Sequence, residues 1–123
     1  MKKNVLALAA LAEAATGVVL LAYPSIVVRL LFNAEIAGAG AIMSRLAGMA
    51  LIGLGAACWP GADNRRAVQG MMTYSLLAML FLIYIGVRGE GVGLLLWPGV
   101  VVHAFLIVFL GGAWLKLRKS PTT

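Results

Sequence analysis

Three ionisable side chains stand inside long apolar runs of this sequence: Glu13, Arg45 and His103. A charged group at bilayer depth costs about 2.5–3.5 kcal/mol on insertion scales, so such residues are rare and face a polar partner or a pathway. With ~1.5 Å of rise per residue, Glu13 is expected ~13 Å, His103 ~18 Å and Arg45 ~22 Å from one side of the membrane. A carboxylate beside an imidazole could share or pass a proton, and a guanidinium could hold the carboxylate ionised or bind an anion. The same three groups could instead satisfy one another and fix the register of an apolar bundle without touching a ligand. The residues alone leave both open. Helical side chains lean toward their own N-terminus, so Glu13 and Arg45 lean apart. Contacts of each with His103, Ser44, Tyr74 or Ser75 are expected in preference to a direct pair.

Catalytic chemistry has little to work with. One His, one Cys and one Asp in 123 residues give no triad, no paired-carboxylate hydrolase site and no three-ligand metal site. No enzyme activity, metal or cofactor is expected. A weaker alternative places haem or quinone near His103, with Met43, Met49 or Met79 as a second haem ligand. The lone Cys58 excludes an internal disulfide; it is expected to fill space, with palmitoylation as the alternative.

The elements that must hold these residues follow from composition. The chain is 63% apolar and 11% charged, with a mean hydropathy of +1.01, which excludes a water-soluble enzyme, a disulfide scaffold and a disordered tail. Its net charge of +6 would suggest nucleic acid if the cations shared a face. They lie at the ends of apolar runs instead, so no nucleic-acid partner is expected.

Four such runs, at roughly 4–22, 37–59, 68–87 and 94–115, each approach the ~20 residues that cross ~30 Å of hydrocarbon. Backbone hydrogen bonding inside lipid makes runs of this length helical. The expected fold is all-α: one domain over residues 1–123, an integral four-helix transmembrane bundle with antiparallel neighbours. The beginning, with Lys2, Lys3 and Ala12-Glu13-Ala14, partly imitates a signal peptide, but a glutamate at that place is a poor cleavage site.

Charge sets the orientation. Lys2, Lys3, Arg65, Arg66, Lys116, Arg118 and Lys119 fall on one side, and Arg29 and Arg88 on the other. The positive-inside rule then places both termini in the cytoplasm, in a bacterial-type inner membrane.

Between the first two runs, Tyr23 to Asn33 reads as a short interfacial helix. Pro24 suits the first helical position, and Ile26, Val27, Leu30 and Leu31 share a face opposite Ser25, Arg29 and Asn33. Pro60-Gly61-Ala62 is a turn leading to an N-cap at Asp63 or Asn64. Gly86, Gly89, Gly91 and Gly93 read as a flexible outer loop, because a phosphate-cradling glycine motif needs a preceding strand.

Small residues recur at helical spacing. Ala9, Glu13 and Gly17 follow one another by four, as do Gly40, Ser44 and Gly48, so the first and second spans should pack closely; Gly99 notches the fourth. Tyr23, Trp59, Trp97 and Trp114 sit near run ends as interface anchors.

Two resemblances add to this. Leu11-Ala12-Glu13-Ala14-Ala15-Thr16-Gly17 resembles the first span of the small multidrug resistance transporters, which would make Glu13 the proton- and cation-binding carboxylate. The third span here lacks that family's glycine-rich signature, Arg45 and His103 have no counterpart, and the charge bias contradicts its dual-topology members. The run from Ser44-Arg45 through Gly48 to Gly53-Leu54-Gly55, followed by Cys58-Trp59-Pro60-Gly61, resembles uncharacterised four-helix bacterial membrane proteins of the DoxX-like kind. That second resemblance implies the four-helix fold and no settled activity.

The expected function is therefore a non-enzymatic membrane protein: an accessory or assembly subunit of a larger membrane complex, or a self-associating homo-oligomer, surrounded by membrane lipids. The alternative is a proton- or ion-coupled small-molecule transporter using Glu13, His103 and Arg45. Transport requires a water-accessible route to Glu13; a subunit requires a dry interior and an apolar outer face.

Overall fold

The computed structural model describes residues 2–89 and 91–119, without the side chains of Lys2 and Lys3, which thus lie outside the description although they count in the charge balance. The helices are α1 (Lys2–Ala22), α2 (Pro24–Phe32), α3 (Ala39–Ala57), α4 (Arg65–Arg88) and α5 (Leu96–Lys119). Four of them, α1, α3, α4 and α5, are long and apolar enough to cross a membrane. The chain is all-helical, as its apolar runs require.

Helix ends show where local chemistry acts. Pro24 opens α2, and Asn33 closes it in the left-handed conformation at φ 49°. Gly89 closes α4 at φ 73°, where glycine carries no Cβ penalty. At the start of α4 the two expected caps divide the work. Asn64 occupies the cap position, yet its Oδ1 accepts the Gly61 N–H at 2.7 Å and so braces the turn. Asp63 Oδ1 accepts the Arg65 N–H at 3.1 Å, covering an otherwise open helix donor. Basic residues expected beyond the spans are taken into the helices. Lys116, Arg118 and Lys119 form the last turn of α5, where cations complement the carbonyl end of the dipole.

Packing divides the four long helices into two pairs. α1 lies along α3, α4 lies along α5, and α1 makes the main contacts between the pairs. The core joins Leu6, Ala9 and Ala10 of α1 to Cys58, to Val68 and Met71 of α4, and to Leu110 of α5. By contrast, α3 rests on α1 and touches α2, leaving Ile42, Met43, Leu46 and Met49 exposed. The bundle is therefore asymmetric, with α1 at its centre and α3 on its flank.

One sequence expectation is corrected here. The α4–α5 connection is not a free loop: the Gly93 N–H donates to the Leu31 carbonyl at 2.9 Å, and Leu95 N–H to that of Leu30 at 2.8 Å. A side chain at Gly93 would run into the Leu30 carbonyl, so glycine is what lets the strap close. Along α2, Pro24 is buried, Val27, Val28, Leu30 and Leu31 are half-buried and Ile26 is exposed.

Candidate functional site

The buried polar set forms where α1 meets α4 and α5. Glu13 continues the covered stripe of α1, Leu6, Ala10, Glu13, Gly17 and Leu20, whose steps of four and three residues keep one face toward the bundle, with Ala9 beside it. Glu13 is only 7% exposed. From α4, Tyr74 brings its hydroxyl to that carboxyl as a hydrogen-bond partner. From α5, the His103 ring meets the Tyr74 ring edge to face, with centroids 5.9 Å apart and planes at 73°.

Beside Tyr74, Ser75 is fully buried. Its Oγ has no hydrogen-bond partner, and neither does the buried Nδ1 of His103. Other hydroxyls in the spans behave differently: Thr16 donates to the Ala12 carbonyl and Thr73 to that of Gln69, both at 2.8 Å. Such bonds to the preceding turn are the usual way for a hydroxyl to satisfy itself in an apolar helix. Among the described residues, Ser75 Oγ and His103 Nδ1 are the buried side-chain polar atoms that keep unused hydrogen-bonding capacity.

Glu13, Tyr74 and His103 can hold a proton along a short polar path, or lock three helices in register. Arg45 belongs to neither arrangement. It is exposed on α3, and among the described residues it has no hydrogen bond or ion pair. Two facts separate it from Glu13. The helices cross at Gly17 and Gly48, so Glu13, four residues before one, and Arg45, three before the other in an antiparallel helix, differ in height by ~10 Å. They also point to different sides, one toward α4 and the other outward. Ser44 is half-buried on α3. The expected ladder of Glu13, His103 and Arg45 is therefore two features: an inward set and an outward cation.

A metal or haem meets a similar geometry. Among the described residues no three His, Cys, Asp or Glu side chains group together. Met43 and Met49 are exposed on α3, on the far side of α1 from His103, so neither shares a site with it in one chain.

The small residues divide as well. A Cβ on Gly17 would lie 2.5 Å from the Gly48 carbonyl oxygen, and one on Gly48 would lie 2.6 Å from that of Gly17. Gly40 is exposed and has only Ile36 beside it, so it takes no part in the crossing. Its place is taken by Gly55, whose Cβ would lie 2.5 Å from the Ala10 carbonyl oxygen. The signal was present in the sequence as a seven-residue step from Gly48 to Gly55. Gly99 packs against Leu82, while Gly86, also missed, receives the Trp97 ring.

At the helix ends, Tyr23, Trp59 and Trp97 are exposed, and Trp114 is half-buried under the Arg118 guanidinium at 4.9 Å. Arg88 likewise covers Tyr84, at 5.5 Å from the ring centre, and donates to its hydroxyl at 3.1 Å.

Comparison of the chain with protein-family models, curated proteins and solved structures finds no match.

Proposed function

We propose that this protein is a non-enzymatic accessory subunit of a larger assembly in a bacterial-type inner membrane, with both termini in the cytoplasm. The observation that carries this is the position of α3. It is held by α1 along one side and touched by α2, while Ile42, Met43, Leu46 and Met49 leave a mostly apolar face of it exposed. Glu13 and Ser75 are buried inside the bundle, whereas the exposed face of α3 is apolar around Arg45. Contiguous exposed apolar surface suits lipid as well, but a cation within it does not. The charge bias of the connections supports the orientation. The likeness of the Ser44 to Gly55 run to DoxX-like proteins agrees with a four-helix subunit.

The test is purification from native membranes in a mild detergent, followed by mass measurement of everything retained. A complex heavier than the 12.9 kDa chain with its lipid is expected. A monomer bearing lipid alone would overturn the proposal.

A second reading, proton- or ion-coupled transport, draws on Glu13, Tyr74 and His103 together with the unused Ser75 Oγ and His103 Nδ1. It requires a conformation in which water reaches Glu13. Vesicles containing the protein would then pass protons or a coupled cation, and Glu13→Gln would abolish that flux. Equal flux in empty vesicles removes this reading.

A further inference from the structure

The seam between α4 and α5 has a fixed register. A Cβ on Gly111 would lie 3.8 Å from the Met72 side chain, and one on Gly86 would lie 2.6 Å from the Trp97 ring. These pairs face each other across antiparallel helices, so equal steps toward the beginning of α4 and the end of α5 keep the match. Seven residues make close to two full turns and return a side chain to nearly the same face. Seven before Met72 is Arg65, and seven after Gly111 is Arg118. The fold thus brings Arg65 and Arg118, far apart in the chain, to one level on facing sides of the seam.

Arg66 and Lys119 follow them, and both are exposed. One residue further along two antiparallel helices turns both side chains to the same flank of the seam. Tyr74, on the other flank, faces Glu13 of α1, so Arg66 and Lys119 stand on the flank away from α1.

The helices alone do not account for this gathering. Cations at the end of α5 complement its dipole, but Arg65 and Arg66 begin α4, where a cation is disfavoured. Among the described residues the carboxylate at this end is Asp63, whose Oδ1 accepts the backbone N–H of Arg65; Glu13 is buried in the bundle, and Glu35 pairs with Arg29 at the opposite end. Orientation in a membrane requires positive charge on this side, but not that cations from two helices meet at one seam.

We infer that this end of the α4–α5 seam binds an anionic phospholipid, with its phosphate among Arg65, Arg66, Arg118 and Lys119. The site requires only that the long helices cross a bilayer, and it stands apart from the accessory-subunit reading.

Charge, position and order select this occupant. Clustered cations at a membrane surface favour a headgroup of net negative charge over a zwitterionic one. Arg65 opens one span and Lys119 closes the other, so the cluster stands where hydrocarbon gives way to headgroups. A lipid phosphate is already at that level, whereas an acidic protein would have to enter it. Below the cluster, Leu76 and Leu80 of α4 and Leu115 of α5 are exposed and give the acyl chains an apolar wall. Arg118 lies over the Trp114 ring, 4.9 Å from its centre. A guanidinium stacked in this way keeps its N–H donors in its own plane, where they can take phosphate oxygens.

The test adds dioleoyl phosphatidylglycerol or dioleoyl phosphatidylcholine to the purified full chain in mild detergent and measures the mass of what is retained. Phosphatidylglycerol should bind at least tenfold more tightly. Arg66→Gln and Lys119→Gln should each lower its affinity about fivefold. Arg118→Gln should do the same, while Arg118→Lys, which keeps the charge, should retain most of the preference. Arg88→Gln, at the opposite end of α4, should leave it unchanged.

Equal retention of the two lipids, or a preference that survives the combined loss of Arg66, Arg118 and Lys119, would overturn the inference. So would an equal loss in Arg88→Gln, which would make the preference a property of net charge and not of the seam. Displacement of the lipid by sodium phosphate at equal concentration would overturn it in favour of a free anion. Tighter binding of a soluble poly-glutamate peptide than of the lipid would overturn it in favour of an acidic protein.

Discussion

Gly17 and Gly48 lie backbone against backbone where α1 crosses α3: a Cβ on either would come within 2.6 Å of the other's carbonyl oxygen. In lipid there is no hydrophobic drive to bring helices together, so dispersion between closely approaching backbones carries the association. The placement of α3 against α1, and with it that of Arg45, rests on this crossing and on Gly55 against Ala10.

Gly48→Val should therefore separate α1 from α3. Overpacking of this kind costs about 1–3 kcal/mol. Gly53→Val, on the same helix with nothing within 4 Å, is expected to change stability little. Unfolding in mixed detergent micelles compares the two. Equal loss would mean that helix propensity, and not the crossing, sets the outcome.

Glu13 and Tyr74 should be energetically coupled. Tyr74→Phe removes the hydroxyl and leaves a closed-off carboxyl short of a donor, a change worth about 1–3 kcal/mol. In a Glu13→Leu background the same substitution should cost much less, because no acceptor remains. A double-mutant cycle with no interaction energy would remove the pair from the account. Arg45→Leu, outside this set, should leave the stability of the isolated chain within ~0.5 kcal/mol.

The strap between α2 and the α4–α5 connection makes a prediction for backbone exchange. The amides of Gly93 and Leu95, both donating to α2 carbonyls, should exchange slowly. Gly93→Ala forces a methyl into the Leu30 carbonyl and should speed exchange at both positions. Fast exchange in the wild type would mean that the strap is open in solution.

Cys58 provides a probe that needs no engineering. It is the one cysteine of the chain and is 3% exposed within the core formed by α1, α4 and α5. A membrane-permeant maleimide should label it slowly in the native protein and fast after denaturation. Leu110→Ala, which opens a cavity in the same core, should raise the native rate. Rapid labelling of the native wild type would show that the core is loose at that end.

How much of this was legible in the residues differs from feature to feature. The four spans and the short α2 could be read directly, because lipid forces long apolar runs into helices and Pro24 marks where the second helix begins. The crossing glycines were visible as spacing, though Gly40 and Gly55 exchanged places. A stripe of small residues shows which faces can approach, but not at which turn two helices meet. The α4–α5 strap was invisible, since glycines that allow close approach to a carbonyl look the same in sequence as glycines in a mobile loop.

The sequence by itself determined that this chain lies in a membrane, how many helices cross it, and which end of each carries charge. Those properties follow from local composition and from the cost of leaving peptide groups unpaired in hydrocarbon. Only the tertiary structure decided that Glu13 turns inward to Tyr74 while Arg45 turns outward without a partner. Both residues occupy similar positions in apolar helices, and depth along an axis is set by counting residues. The side of the helix that a neighbour covers is set by packing between segments far apart in the chain. For these two opposite charges, that packing separates an interior polar lock from an exposed cation.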